Sequence, residues 1–380
     1  MIASQEVAEM VATRQWSPQA TKRLLRAKET PLLIMDRGVL EQSYDELRRE
    51  LPDADIHYAL KANPDRSLAE FLSVLGAGFE ISSEGELDLL LKLGIARNKI
   101  ITSNPVKPPG FIKKAHSAGV NLFAFDSLSE LKKLATDAPG SRVCLRLSVS
   151  NEGSEWPLSR KFGVETEQAI ELLVQAEGMG LEPHGITFHV GSQCTNPDSW
   201  VKAIEKSRYV WEAVGRKGIT LRVLNLGGGF PVRYTKPVPP AGDIASAIKN
   251  AVRSMFPEGV ELLVEPGRVL VGEAGILVTT VIGKAERDGQ KWLYLDVGVF
   301  NGLMESIGGI RYPMAAARNG ATTPWVLAGP SCDSFDTIAS DVILPELEIG
   351  DILYIMSAGA YTTAYASHFN GFPVPRTLLV

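Results

Sequence analysis

Cysteine is scarce. Cys144, Cys194 and Cys332 are the only three in 380 residues. They are too few and too scattered for a disulfide framework or a zinc-type cluster, so no metal site is expected and a reducing cytoplasm is the simple expectation. Long apolar runs are missing as well, and none approaches the length of a membrane span. The stretch from Met1 to Trp16 mixes Glu, Arg and Gln with apolar residues. It has neither a basic nor an apolar region of the signal-peptide kind, and no such segment is expected. Positive charge is not in surplus: 39 Lys and Arg stand against 44 Asp and Glu, a net charge of −5. With no long basic stripe, nucleic acid is not expected as the main partner. Repeats, low-complexity segments and flexible Gly/Ser linkers are absent. So is the Gly-rich turn after the first strand that a dinucleotide-binding open sheet offers.

What remains is an ordinary soluble composition, 45% hydrophobic and 22% charged, in a chain long enough for one large barrel and a smaller partner domain. Eight short apolar runs stand out: Ile56–Leu60, Phe79–Ser82, Ile100–Thr102, Leu122–Phe125, Val143–Leu147, Gly185–His189, Val223–Leu226 and Glu261–Val264. Between most of them lie segments of helical periodicity, such as Arg66–Leu75, Glu84–Leu93, Glu165–Met179 and Gly242–Met255. Eight strands alternating with helices predict an α/β chain whose N-terminal part is a (β/α)8 TIM-like barrel. After Arg268 the pattern becomes strand-like, over Val269–Val281, Trp292–Asp296, Trp325–Ala328 and Asp351–Met356. The predicted division is a barrel over 36–272 and a C-terminal, mainly β domain over 273–380 that takes in 1–35. The strand Pro31–Met35 either joins that domain or leads away from it.

The unusual polar residues cluster at one kind of place. Lys61, Arg146, His189, Gly227-Gly228-Gly229 and Glu265 stand at or just past the carboxyl ends of predicted strands, the face on which barrel active sites form. A lysine ending a buried strand is expected to have a lowered pKa and a nucleophilic amine suited to a Schiff base, unless it snorkels to water. The three glycines leave backbone amides open to a phosphate, or simply make a tight turn. Glu265, in Glu265-Pro266-Gly267-Arg268, needs a partner, either a protonated ring nitrogen or an internal arginine. His189 is a core histidine or a ring stacked on a flat cofactor, and Ser192 a turn residue or a phosphate donor. Cys332, in Gly329-Pro330-Ser331-Cys332-Asp333-Ser334, is a small buried hydrophobe or a proton donor on a loop. Tyr361 either packs or reaches a phosphate.

Six motifs in this order, His57-Tyr58-Ala59-Leu60-Lys61-Ala62-Asn63, Phe188-His189-Val190-Gly191-Ser192, Gly227-Gly228-Gly229-Phe230-Pro231, Glu265-Pro266-Gly267-Arg268, Gly329-Pro330-Ser331-Cys332-Asp333-Ser334, and Gly359-Ala360-Tyr361 with Phe369-Asn370-Gly371-Phe372, resemble the barrel-type (fold type III) pyridoxal-phosphate decarboxylases. That family has an alanine racemase-like fold, and the resemblance runs from about Pro31 to Phe372. It implies pyridoxal 5'-phosphate as cofactor, an amino acid as substrate and a homodimer with shared active sites. Carried over by motif, Lys61 is the Schiff-base lysine, His189 the ring-stacking residue and Glu265 the partner of the ring nitrogen. Ser192, Gly227, Gly228, Gly229, Gly267, Arg268 and Tyr361 form the phosphate-binding group, with Glu80 and Arg146 nearby. Cys332 reprotonates the decarboxylated carbon and Asp333 sits beside the substrate, both from the opposite subunit. Glu265, rather than an arginine, favours a decarboxylase over a racemase.

Substrate choice is read from Met304–Pro313. Ornithine and lysine enzymes of the family carry an acid there for the distal amine, whereas this chain has Gly308-Gly309. Arg311 is a candidate contact for a substrate carboxylate, as Tyr361 is for the substrate. The expectation is a larger, conjugated diamino acid of siderophore-type pathways, such as a citryl-diamino acid. The alternatives are ornithine, lysine or diaminopimelate decarboxylation in primary metabolism, or a catalytically silent homologue that binds partners.

Overall fold

Every apolar run read as a barrel strand folds as one. In the computed structural model, which describes residues 5–158 and 161–380, the eight barrel strands are Ala54–Ala59, Gly78–Ile81, Ile100–Thr102, Leu122–Phe125, Arg142–Arg146, Glu182–Thr187, Val223–Asn225 and Glu261–Val264. All pair in parallel, and the eighth closes on the first through Leu262 opposite Ala54 and Val264 opposite Ile56. The helices between them begin where the sequence supplies caps. Asp65 accepts from the amides of Ser67 and Leu68 to start Arg66–Val74, and Ser83 and Ser127 do the same for Glu84–Lys92 and Leu128–Asp137. Successive side chains on a strand point to opposite faces. Ile101, Leu122, Cys144, Val223 and Leu263 therefore meet inside the barrel as one buried apolar layer.

The barrel strands and helices belong to one compact unit, Asp45–Pro231 with Pro239–Gly267. The second unit takes the described residues up to Tyr44, Val232–Val238 and Arg268–Val380. It is built on an eight-stranded sheet. Leu32–Met35 joins that sheet, antiparallel to Gly275–Arg287 and parallel to Arg376–Leu379, which decides between the two courses open to it. One expectation is corrected. Val269–Val271 is not strand but part of the short helix Arg268–Val271, and the strand begins only at Gly275. The β-branched run suggests a strand, but the chain turns there against Gly359, where a Cβ would lie 1.8 Å from the Val271 carbonyl oxygen.

Candidate active site

The carboxyl-terminal end of the barrel gathers the unusual polar residues of the first unit. Lys61 lies in the single 3-10 turn Leu60–Ala62 between the first strand and the Asp65 cap. The Tyr58 hydroxyl donates to the Asn63 carbonyl at 3.0 Å and braces the turn. The expected burial of this lysine is not found: its side chain is 45% exposed, because the turn carries it past the strand end to the barrel mouth. Its Nζ pairs with the buried carboxylate of Glu80, which also accepts from the Ser82 hydroxyl at 3.3 Å.

Glu265 is buried, and its Oε1 accepts from the Ser103 hydroxyl and, at 2.6 Å, from Asn225 Nδ2. Neither bond uses Oε2. Burial raises its pKa, with the Glu80 charge adding to the rise, while Lys61, Ser103 and Asn225 pull it down. Asn225 does a second job: its Oδ1 accepts from the Gly227 amide at 2.9 Å and fixes the start of the glycine turn. That turn admits no side chain. A Cβ at Gly227 would lie 2.2 Å from the Phe188 oxygen, and one at Gly229 would lie 2.4 Å from the Gly191 oxygen, both at positive φ. A Cβ at Gly228 would lie 3.3 Å from His189 Nε2.

The His189 Nδ1 accepts from the Gly191 amide at 3.0 Å, which places the ring proton on Nε2. Burial, then the Arg146 and Lys61 cations, hold the ring well below the usual histidine pKa, so it is neutral. Burial also lowers Arg146, against the pull of Glu265, Glu80 and Asp126. Ser192 is buried at the start of the short strand Ser192–Cys194, and its carbonyl accepts from Ser154 Oγ at 2.7 Å. Gly267 is the last residue of this unit.

The second unit holds the other candidates. Arg268 is buried and forms a two-pronged pair with Glu305, at 2.7 and 2.6 Å, and it donates to the Tyr234 hydroxyl at 2.5 Å. Its guanidinium also lies 4.8 Å from the Tyr361 ring centre. Burial alone would lower its pKa, but Tyr234, Glu305 and Tyr361 raise it well above the usual value. Cys332 is exposed, and its amide and Sγ both lie 3.4 Å from Asn370 Oδ1, so two of the six motifs meet there. This is not the buried small hydrophobe that a lone cysteine usually is. Asp333 accepts from the Phe335 amide at 2.8 Å. Arg311 donates to the carbonyls of Ser306 and Ile310 at 3.0 and 3.3 Å.

Ser103, Asn225, Tyr234 and Glu305 are not among the residues that the sequence singles out. For Asn225 the signal was there: an amide inside the apolar run Val223–Leu226. Ser103, directly after a strand, carried a weaker form of it. For Tyr234 and Glu305 the sequence held none, because their roles follow from where Arg268 folds.

An amine, a buried carboxylate with an unused oxygen, a neutral imidazole and a side-chain-free amide turn on one barrel end define a class of protein. It is a barrel fitted to an aldehyde cofactor with a ring nitrogen and an anionic tail. Comparison with known proteins makes this particular. Residues 37–272 match the family model described as pyridoxal-dependent decarboxylase, pyridoxal binding domain. The chain is 36% identical over 369 residues to a lysine/ornithine decarboxylase of Selenomonas ruminantium, covering 96% of this chain and 93% of that one. It matches the structure of lysine/ornithine decarboxylase complexed with cadaverine from Vibrio vulnificus with a TM-score of 0.88, 35% identity and full coverage of both chains. Against the arginine decarboxylase of Paramecium bursaria Chlorella virus the TM-score is 0.90, at 28% identity over 95% of this chain and 99% of that one. The chain belongs to the pyridoxal-dependent decarboxylases: it is a PLP-dependent amino-acid decarboxylase of the alanine racemase-like fold, with pyridoxal phosphate as its cofactor. Among the described residues no helix is long and apolar enough to cross a membrane, and no group of His, Cys, Asp and Glu is placed to hold a metal ion.

Proposed function

We propose that the enzyme removes the α-carboxylate of a free basic amino acid of the lysine and ornithine class. The observation that carries this reading is the near full-length similarity to a lysine/ornithine decarboxylase, 96% of one chain against 93% of the other. It weighs more than the expectation of a conjugated substrate drawn from one short segment. Bound in the barrel, the cofactor supplies an electron sink for the pair left at the substrate α-carbon when carbon dioxide departs. The chain's own residues do the rest. Lys61 is the attachment amine, and Glu80 holds its Nζ in place. Glu265 presents Oε2 to the ring nitrogen and, as a carboxylate, keeps a proton there. The neutral His189 ring would hold the cofactor without adding charge. Gly227 to Gly229, with Ser192 and Gly267 of the same unit, hold the phosphate. Cys332 delivers a proton to the α-carbon and Asp333 meets the distal amine, both across a homodimer interface.

One observation favours a second reading, a larger conjugated amino acid. Glu305, the acid of the segment Met304–Pro313, is locked onto Arg268. Gly308 and Gly309 are exposed and carry no charge to meet a distal ammonium. Carbon dioxide release from ornithine, lysine, arginine, diaminopimelate and citryl-diamino acids separates the readings. A kcat/KM on lysine or ornithine of about 10⁴ M⁻¹s⁻¹ or more, with no conjugate better, upholds the first. A conjugate preferred over both overturns it.

A further inference from the structure

The barrel has a second polar end. Along the fifth strand Arg142, Cys144 and Arg146 recur with period two, and Glu261, Leu263 and Glu265 do so along and just past the eighth. The last member of each trio belongs to the active-site end. The middle members, Cys144 and Leu263, belong to the buried apolar layer. The first members, Arg142 and Glu261, line a cavity of about 350 Å³ at the amino-terminal end. Its inner wall is the other side of the same layer, formed by Ile101, Leu122, Val223 and Leu263.

The charges of this cavity are sorted. Glu261 and Asp55 stand on the eighth and first strands, which are neighbours in the closed barrel, with Leu263 opposite Asp55. Arg97 precedes the third strand and Arg142 opens the fifth, across the mouth. None of the four has an ion-pair partner among the described residues, and the bond formed by the Arg97 side chain is to its own Ile95 carbonyl at 2.8 Å. Deeper in, Arg142 Nε is enclosed without a hydrogen-bond partner, and His57 Nδ1 meets none of good geometry, the Asp55 backbone being the polar group beside the ring. The His57 imidazole lies against Gly78, where a Cβ would approach it to 2.6 Å. The pairing of the fifth and sixth strands slips here as well: Val143 faces Pro183 and Cys144 faces Gly185, so His184 is the extra residue. Bulges at barrel rims re-aim side chains, and His184 lines the cavity.

The amino-terminal face of such barrels is ordinarily devoted to stability. Stabilising charges would be paired, and enclosed donors would be satisfied. Here opposite charges face each other across an open space and leave the enclosed Arg142 Nε unmet. We propose that this mouth binds a small zwitterion of the free amino-acid class, its carboxylate held by Arg142 and Arg97, its ammonium by Glu261 and Asp55, and the His57 ring beneath it as a further hydrogen-bond partner. An inorganic anion would meet only the arginines, and a diamine only the carboxylates. The volume lies at the low end of small-molecule sites and leaves no room for a nucleotide or a peptide. Nothing in the proposal depends on which amino acid the active site consumes.

The probe must not react with the cofactor. Nα,Nα-dimethyl-L-alanine and Nα,Nα-dimethyl-L-glutamine keep a carboxylate and one N–H on a tertiary ammonium, and a tertiary amine forms no imine. Each is titrated into the holoenzyme by calorimetry while the cofactor absorbance is followed, beside propionate and ethylamine as the separate halves. Saturable binding with an unchanged spectrum is expected for at least one zwitterion. It should weaken about tenfold or more in Arg142→Met and in Glu261→Gln, and vanish in Asn121→Trp, which plugs the exposed rim. Should Arg142→Met not fold, the two exposed-rim variants decide. The proposal fails if no probe binds saturably, if binding survives Asn121→Trp unchanged, or if propionate or ethylamine alone binds as tightly as the zwitterion.

Discussion

Glu265 receives hydrogen bonds from Ser103 and Asn225 at the carboxyl-terminal end of the barrel. Four residues earlier, at the other end, Glu261 is exposed and has no ion-pair partner among the described residues. The fifth strand repeats the contrast with arginines, Arg146 half-buried near Glu265 and Glu80, Arg142 beside an open cavity. The two ends draw on the same strands and the same residue types, and one apolar layer separates them. The difference lies in partnership. A carboxylate already fixed by two donors keeps its position while charge moves on a bound group, which is what catalysis by preorganised dipoles requires. Unpaired charges around a cavity have no such fixed geometry and gain theirs only when something bridges them.

The largest effect that would test this division is at Lys61. Lys61→Ala should lower kcat/KM at least about 10⁴-fold, on the order of 5 kcal/mol, because the proposed attachment amine is gone. Borohydride reduction of the wild-type holoenzyme followed by peptide mapping should place the cofactor on Lys61. Label on another lysine would remove this end of the barrel from the chemistry.

A sharper comparison uses one residue type on one strand. Glu265→Gln should lower kcat by about 10² to 10³-fold, since in the proposed role a neutral amide would no longer hold a proton at the ring nitrogen. Glu261→Gln should leave kcat within about twofold, because its carboxylate touches no group of the active site. Similar losses from both substitutions would show that the apolar layer does not insulate one end from the other.

These pairs also mark how far the sequence could be read. All eight barrel strands were legible, because each is a short apolar run bounded by helix signals. Lys61, His189 and Glu265 were legible as strand-end residues. Whether Lys61 is buried or snorkels to water stayed open, since a 3-10 turn after the strand leaves no signature in residue type. The role of Glu305 was not legible: its partner Arg268 is 37 positions away. The amino-terminal mouth was invisible for a different reason. Asp55, Arg97, Arg142 and Glu261 look in sequence like solvated charges at strand starts, and only the closure of the barrel sorts them by sign.

A third effect separates the ends by their response to pH. Burial is the main cause that pushes His57 down to about 4 from 6.5, against the pull of Asp55. Between these values the unfolded chain binds more protons than the folded one, so stability falls as pH drops from 6.5 and levels off below 4. The full difference is on the order of 3 kcal/mol. Carboxylates elsewhere titrate in the same range, so the informative quantity is the wild type minus His57→Gln in urea melts at several pH values. That difference should be flat above pH 6.5 and change steadily below it. A difference that stays flat down to pH 4 would mean that His57 is solvated and protonates freely in the fold.

The smallest effect probes the layer itself. Cys144 is buried among Ile101, Leu122, Val223 and Leu263, and burial raises its thiol pKa to about 12. A thiol held neutral and out of water is a filler, not a nucleophile. Cys144→Ala should therefore remove about 1 kcal/mol of stability, the scale of one lost buried heavy atom. The gap it leaves is too small and too apolar to admit water. Activity should stay within about twofold of wild type, as expected for a position that touches neither polar end. Native alkylation should label exposed Cys332 and spare Cys144. If Cys144→Ala instead shifts the cofactor absorbance or the activity well beyond that range, the layer transmits strain between the two ends, and the barrel works as one coupled site rather than two.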